Sequence, residues 1–301
     1  MKAVLGSITP LKGILCLVLG GALMTASDSV LKWLTSDYPV GQIMFLRGIF
    51  GLIPILIFVR QAGGVDALIT RNYGYHILRS SLMVGGTFLY VTGLRFLPLA
   101  DTISIAFAGP LFITALASPV LGERVGWRRW IGVLIGFIGI LIIFRPGSAV
   151  FQWTALFPLA ASFTGALRDI LTRKMSVFET SASLLFYSTI AIALGGLVTA
   201  PFGTWQSVVI RDWFYFLLTG LLTGVAHYMI VEAFRLCEAA LVAPFKYTSV
   251  LWAIVLGYLI FGDIPELETL VGVSVVISSG LYILHRETRL RKHRVSKDEN
   301  R

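Results

Sequence analysis

Long runs of apolar residues, separated by short polar pieces, fill almost the whole chain. A window of bilayer-spanning length, about 20 residues, finds ten such runs. They lie near 11–33, 40–59, 75–95, 100–121, 128–144, 150–173, 180–200, 213–233, 240–261 and 267–285. The connections between them carry Pro, Gly or charge, as in Ser36 to Pro39 and Gly262 to Pro265. The pattern predicts an all-α integral membrane protein with ten transmembrane helices.

The composition agrees with a lipid environment. The 301 residues are 56% hydrophobic and 14% charged, with a mean hydropathy of +0.82, whereas soluble domains carry about 25% charged residues. Ten helices leave no room for a large domain outside the bilayer, so the function must lie among the helices. The first apolar run follows Lys12. We interpret it as a retained first helix, because no clean signal-peptide cleavage site follows it.

The placement of the basic residues predicts the orientation in the membrane. With the N-terminus inside, 18 of the 25 Lys and Arg residues, Arg79 among them, are assigned to inner loops and 4 to the outer side. Positive residues are retained on the cytoplasmic side, so both termini are predicted to be cytoplasmic. This bias accounts for the net charge of +9 without a nucleic-acid partner.

The two halves of the chain repeat each other. An offset of 140 residues aligns Arg95 with Arg235, Ala100 with Ala240, Gly122 with Gly262, Glu123 with Asp263 and Gly132 with Gly272. One residue more aligns the stretch 28–32 with 169–173. Each half has five predicted helices, an odd number, so the halves must be inverted in the membrane. We predict repeats at 11–145 and 150–286, followed by a basic cytoplasmic tail at 287–301. Inverted repeats are typical of secondary transporters, whose substrate site lies between the halves.

Charged residues inside spans are costly and normally pair or line a wet cavity. Asp28 and Arg47 lie at similar depth on the outer side, which predicts an ion pair. On the inner side Asp169 and Lys246 lie at comparable depth in the sixth and ninth helices, with Arg168, Glu232 and Arg235 nearby. The two clusters could be gates that close alternately, or pairs that only join helices.

Other roles for the polar residues stay open. The acids Asp28, Asp169 and Glu232 could carry protons. His227, in the middle of a span beside Tyr228, could titrate near physiological pH or only form a hydrogen bond between helices.

Aromatic residues and prolines mark the fourth and ninth helices. A central aromatic set could stack on a planar ligand, or could simply face lipid; it comprises Tyr90, Phe107, Phe112, Phe245, Tyr247 and Trp252. Pro110 and Pro244 each interrupt a helix and free backbone carbonyl groups. The small residues Gly132, Gly136 and Gly139 form a face for close helix packing, or for a homodimer contact.

Enzymatic chemistry finds no support in the sequence. No nucleophile, base and orienting group converge, and no motif has the spacing of metal ligands. Cys16 and Cys237 are far apart and are interpreted as packing residues. We expect no catalytic residue, metal or cofactor. The expected partners are a small-molecule substrate and the lipid bilayer. A membrane scaffold that transports nothing is the remaining alternative.

These motifs resemble the drug/metabolite transporter superfamily, specifically its ten-helix EamA-type carriers. The likeness covers about 12 to 286 and is most specific from Phe107 through Pro110 and Gly122 to Gly139. Asp263 replaces the glutamate more usual at its position. Ala26 to Asp28, Ala161 to Asp169 and Ala243 to Tyr247 look most similar to the branch of riboflavin and S-adenosylmethionine importers. The resemblance implies movement of small organic metabolites across the bacterial inner membrane, although the superfamily also contains exporters of amino acids, drugs and metallophores.

Overall fold

The structure, a computed structural model, describes residues 2–70, 72–121, 127–144, 153–175, 178–236 and 243–298. In these ranges the chain is helical, with no strand. The α-helices are α1 Lys2–Leu34, α2 Val40–Gln61, α3 Tyr73–Phe96, α4 Leu99–Ala106, α5 Gly109–Leu121, α6 Trp127–Phe144, α7 Leu156–Met175, α8 Ser181–Leu197, α9 Asp212–Leu236, α10 Thr248–Leu256 and α11 Leu267–Asp298. Short 3-10 turns occur at Gly64–Leu68, Trp153–Ala155, Ala200–Phe202 and Ala243–Tyr247, and a π-helical turn at Gly257–Phe261.

The helices are those of an integral membrane protein. Among the described residues, six stretches are long and apolar enough to cross a bilayer: Leu11–Leu34, Val40–Gln61, Tyr73–Phe96, Leu99–Leu116, Ser181–Phe202 and Asp212–Ile230. Three shorter apolar helices lie at Trp130–Ile143, Phe245–Phe261 and Leu267–Ile283. The all-α membrane fold expected from the sequence is confirmed. The number of crossings and the side on which the termini lie stay predictions.

Irregular backbone occurs in both predicted spans that contain a central proline. The fourth predicted span divides into α4 and α5 at Phe107 and Ala108, just before Gly109 and Pro110. The described part of the ninth consists of the 3-10 turn Ala243–Tyr247, which holds Pro244, followed by α10 and the π-helical turn. At the offset of 140 residues Phe107 corresponds to Tyr247, so the two breaks are equivalent in the repeat. The side chains of Pro110 and Pro244 lie outside the described part.

Helices α6 and α11 pack closely through glycines. A Cβ atom at Gly132 would lie 2.8 Å from Ile283 Cγ1, and one at Gly272 would lie 2.5 Å from Ile143 Cγ1 and 2.6 Å from the Gly139 carbonyl oxygen. The two helices therefore run antiparallel. An offset of 140 residues takes Gly132 to Gly272 and Ile143 to Ile283. The repeat therefore makes the Gly132–Ile283 and Gly272–Ile143 contacts equivalent. The glycine face of α6 is thus filled within the chain, and a homodimer stays a prediction without an assigned surface.

The remaining contacts follow the same twofold pattern. Helix α1 packs on α9, α3 on α7, and α2 on α8. The repeat maps α1 onto α7 and α9 onto α3, so the first two contacts are equivalent. The main core contains buried apolar residues at the predicted outer end, among them Leu31, Leu34, Leu94 and Phe216, and it extends along α6 and α11 to Val133 and Ile283. Helix α11 continues to Asp298, so the predicted tail at 287–301 begins inside a helix.

Candidate functional site

Three helices of the first half bring an acid, a guanidinium group and a phenol together. Arg47 Nη2 of α2 lies 3.8 Å from Asp28 Oδ1 of α1. The Tyr90 hydroxyl of α3 donates a hydrogen bond of 2.9 Å to Asp28 Oδ2. The side chains of Arg47 and Asp28 are only 11% and 7% exposed. The ion pair expected from their similar depth is confirmed, whereas its role is not tested by this geometry.

Helix α9 of the second half completes this site. Thr223 Oγ1 accepts hydrogen bonds from Arg47 Nε at 3.0 Å and Nη2 at 2.8 Å. Ser27 lies within hydrogen-bond distance of Thr223 Oγ1 at 2.8 Å and Thr219 Oγ1 at 2.7 Å. We call Ser27, Asp28, Arg47, Tyr90, Thr219 and Thr223 the outer polar cluster. Its members come from both halves, so relative movement of the halves would change it.

His227 lies one turn beyond Thr223 on α9. Its Nδ1 atom is 3.1 Å from the Thr223 carbonyl oxygen of the same helix. The hydrogen bond is therefore local to α9, whereas the sequence argument considered one between helices. His227 therefore lies one turn farther along α9 than the Thr223 hydroxyl group of the outer polar cluster, and the charges of Arg47, Arg79 and Arg168 act on its ring.

The charges on the predicted inner side pair differently from the expectation. Asp169 Oδ1 accepts hydrogen bonds from its neighbour Arg168, 2.9 Å from Nε and 2.6 Å from Nη2. Lys246 is exposed in the 3-10 turn before α10 and makes no ion pair with Asp169. Adjacent residues can pair without any second helix, which is why comparable depth misled the assignment. Glu232 is partly buried in α9, and the side chain of Arg235 lies outside the described part.

Arg79 is not the loop residue that the charge count assumed. It lies in α3 and is 8% exposed. Its Nε donates to Thr172 Oγ1 at 2.8 Å, and its Nη1 donates to the Leu184 carbonyl oxygen at 2.9 Å and to Ser188 Oγ. We call Arg79, Arg168, Asp169, Thr172 and Ser188 the inner polar cluster. The sequence did contain a signal against a loop position, because Arg79 falls inside the third predicted span.

The central aromatic residues divide among separate contacts. The rings of Phe107 and Tyr247 lie 5.0 Å apart at the two helix breaks. Phe112 makes edge contacts with Phe137 and Phe163, and Phe245 packs beside Leu17 and Ala233. Trp252 is 38% exposed. Only Phe107 and Tyr247 meet as the repeat suggested, and Tyr90 instead joins the outer polar cluster.

Two further polar contacts join the ends of the helices and were not expected from the sequence. Lys32 Nζ of α1 lies 3.0 Å from Oδ2 of Asp263, a residue that lies between the π-helical turn and α11. At the opposite end Glu179, between α7 and α8, accepts hydrogen bonds from Thr70 and Ser183 and lies 3.2 Å from His76 Nε2. Both acids are close to a helix end, which is the only signal that the sequence carries for them.

The Glu179 carboxyl group lies outside the membrane-spanning segments. Burial raises its pKa, but the hydrogen bonds from Thr70 and Ser183, together with the nearby His76 ring, outweigh burial, so the net pKa lies below the usual value for glutamate. Within the described ranges, no group of three His, Cys, Asp or Glu residues has an arrangement that could hold a metal ion. The polar groups of the two clusters are suited to binding a polar organic molecule.

The fold and this site define a multi-span membrane protein of the transporter class, with two polar clusters between inverted helix pairs. The chain belongs to the EamA-like transporter family, whose model matches residues 11–145 and 152–284.

Individual relatives carry names of uptake and transport. The chain is 29% identical to the S-adenosylmethionine uptake transporter of Rickettsia bellii, over 88% of this chain and 90% of that protein. It is 27% identical to the riboflavin transporter of Vibrio cholerae, over 93% and 95%. A solved crystal structure shares the fold at 18% identity with a TM-score of 0.65, over 94% of this chain and 99% of that one.

Proposed function

We propose that this transporter imports a small heteroaromatic cofactor or precursor across a bacterial inner membrane by alternating access. The observation that carries the proposal is the outer polar cluster. An ion pair and three hydroxyl groups are buried between α1, α2 and α9, with the phenol of α3 on the acid. Buried polar groups inside a bilayer are costly and mark substrate pathways. Both halves contribute to the cluster, as in transporters built from inverted repeats.

Riboflavin and S-adenosylmethionine are the two candidate substrates. Relatives with both names cover most of this chain. Both molecules contain a flat heteroaromatic ring, which suits a site near the Phe107 and Tyr247 rings. Riboflavin is the first candidate to test, because its ring system is neutral and needs no acid to balance a positive charge.

The two clusters differ in exposure in a way that supports alternating access. Asp28 and Asp169 each lie six residues before the end of their helix, so each is about 9 Å from that end. The Asp28 side chain is 7% exposed, whereas the Asp169 side chain is 42% exposed. The Lys32–Asp263 ion pair also joins α1 to the segment before α11 on the predicted outer side. This difference is the one expected of a transporter closed outside and open inside.

Growth rescue tests the proposal. A bacterium that cannot make riboflavin is grown at limiting external riboflavin with the parent protein, Asp28→Ala or Asp37→Ala, at equal membrane expression. Asp37 is exposed in the loop after α1 and is the matched control. We expect rescue by the parent and by Asp37→Ala, and loss of rescue with Asp28→Ala. Lack of rescue by a well-expressed parent would remove riboflavin, and S-adenosylmethionine uptake would be assayed next.

A further inference from the structure

The inner polar cluster holds more positive than negative charge. The three hydrogen bonds of Arg79 within the described part of the chain go to two hydroxyl groups and one carbonyl oxygen, none of them a carboxylate. Arg168 lies within electrostatic range of Arg79 and is itself paired with Asp169. Within the described part of the chain, the ion pairs and electrostatic interactions of these two guanidinium groups thus involve one carboxylate, that of Asp169. A buried charge without a counter-ion is unfavourable unless something else supplies the opposite charge.

The repeat shows that this excess is particular to the inner side. The alignment places Arg168 where Ser27 lies and Arg79 where Thr219 lies. On the outer side these positions are neutral, and Ser27 bonds to Thr219 and Thr223. On the inner side Arg168 Nη1 instead lies 3.0 Å from Met83 Sδ, and Met83 is the counterpart of Thr223. Two hydroxyl groups are thus replaced by two cations at the same place in the fold.

The inner polar cluster is reachable from an open space. Arg168 and Asp169 are 27% and 42% exposed. One turn earlier on the same face of α7, a Cβ atom at Gly165 would meet no atom within 4 Å. Charged groups inside a membrane span normally line a wet cavity rather than face hydrocarbon, so we treat this space as hydrated. A solute that enters it meets Arg168 and Asp169 first, whereas Arg79 is only 8% exposed.

We infer that the inner polar cluster binds an anionic group of the transported molecule, a carboxylate or a phosphate, between Arg79 and Arg168. This inference rests on the proposed function and adds a requirement to the substrate. Guanidinium groups hold such anions by charge-assisted and often bidentate hydrogen bonds. The aromatic part of the molecule would then extend toward His227 and the outer polar cluster. Among the two candidate substrates, S-adenosylmethionine carries a carboxylate and riboflavin carries no anionic group.

Two pairs of ligands that differ mainly in one anionic group test the inference. S-adenosylmethionine is compared with its decarboxylated form, and riboflavin 5′-phosphate with riboflavin, by binding to the purified full-length protein in detergent. We expect the anionic member of at least one pair to bind at least tenfold more tightly. This preference should fall below threefold in Arg79→Gln and Arg168→Gln, and should be largely retained in Arg79→Lys, which keeps the charge.

Arg95→Gln is the matched control, because Arg95 lies in the same helix as Arg79 but is exposed at its other end. It should keep the full preference. Equal binding of both members of each pair by the parent, or a preference that survives in both glutamine variants, would overturn the inference. Arg168→Gln guards against misfolding of Arg79→Gln, because Arg168 is partly exposed. Uptake of riboflavin or S-adenosylmethionine by cells is measured separately, so the inference can fail while the proposed function stands.

Discussion

At the scale of single residues, the contacts of a charged side chain depend more on how the neighbouring helices are rotated than on its depth along its own helix. Depth along the helices was enough to predict the Asp28 and Arg47 ion pair, because both residues lie near the same loop. Depth could not predict that Tyr90 and Thr223 complete the cluster, because that depends on how α3 and α9 are rotated. For the same reason, depth wrongly grouped Lys246 with Asp169. The count of basic residues in loops wrongly placed Arg79 in an inner loop.

The Thr223 hydroxyl group should be essential to the outer polar cluster. Thr223→Val keeps the shape of the side chain but leaves two buried Arg47 donors without their acceptor. An unsatisfied buried group costs about 1 to 3 kcal/mol. We expect lower thermal stability in detergent and at least a tenfold loss of uptake. Thr92→Val is the control, because the Thr92 hydroxyl bonds only to the Phe88 carbonyl oxygen of its own helix. Similar losses in both variants would argue against a specific role of Thr223.

Glu179 should make stability depend on pH. Its pKa is lower in the folded protein than the usual value of about 4.3, so the folded state favours the ionised carboxylate. That stabilisation is complete above the usual pKa and is lost as the pH falls through the folded pKa. Between about pH 5 and about pH 3, Glu179→Gln should therefore lose less thermal stability than the parent.

The control for this pH series is Asp37→Asn, which changes an exposed carboxylate in the loop after α1. Its stability should follow the parent at every pH. If Glu179→Gln also follows the parent, the hydrogen bonds from Thr70 and Ser183 do not favour the ionised form.

At the scale of helices, the sequence indicated where helices form and where they are interrupted, but it did not indicate which helices pack together. The apolar runs placed helices at all ten predicted segments, and the two prolines marked the breaks beside Phe107 and Tyr247. The glycine face of α6 was visible as a pattern, yet its partner α11 was not. A small-residue face fixes how closely a helix can be approached and leaves open which helix approaches it.

Gly272 should be intolerant of a methyl group. In Gly272→Ala the new Cβ atom would lie 2.6 Å from the Gly139 carbonyl oxygen, so α6 and α11 must separate. Overpacking of this kind costs about 1 to 3 kcal/mol. We expect a lower unfolding midpoint in a denaturant titration of the protein in detergent. Gly74→Ala, where a Cβ atom meets nothing within 4 Å, should be neutral or slightly stabilising. Equal midpoints for the two variants would refute this close packing.

At the scale of the whole molecule, the inverted repeat and its departure from symmetry both matter. Equivalent helix pairs form the frame, while the inner polar cluster is exposed and the outer polar cluster is buried. The repeat was readable from the sequence. The difference between the two sides was not, because the proposed alternating access requires one sequence to adopt both an inward-open and an outward-open state.

Water should reach the open face of α7 from the inner side. Gly165→Cys, in a chain whose Cys16 and Cys237 are replaced by Ser, should react with a membrane-impermeant maleimide in inside-out vesicles, because only a hydrated thiol ionises. Ala166→Cys is the control, since Ala166 is 1% exposed, and it should react at least ten times more slowly. A Gly165→Cys thiol that stays unreactive would place that face in lipid.

The central claim is that substrate passes through the outer polar cluster, and solute counterflow in proteoliposomes tests it most directly. Vesicles loaded with unlabelled riboflavin or S-adenosylmethionine are diluted into the labelled compound, and its accumulation is followed for the parent, Asp28→Asn and Asp37→Asn. The account predicts accumulation with the parent and Asp37→Asn and at least a tenfold slower rate with a folded Asp28→Asn. Counterflow at the parent rate in Asp28→Asn would contradict it.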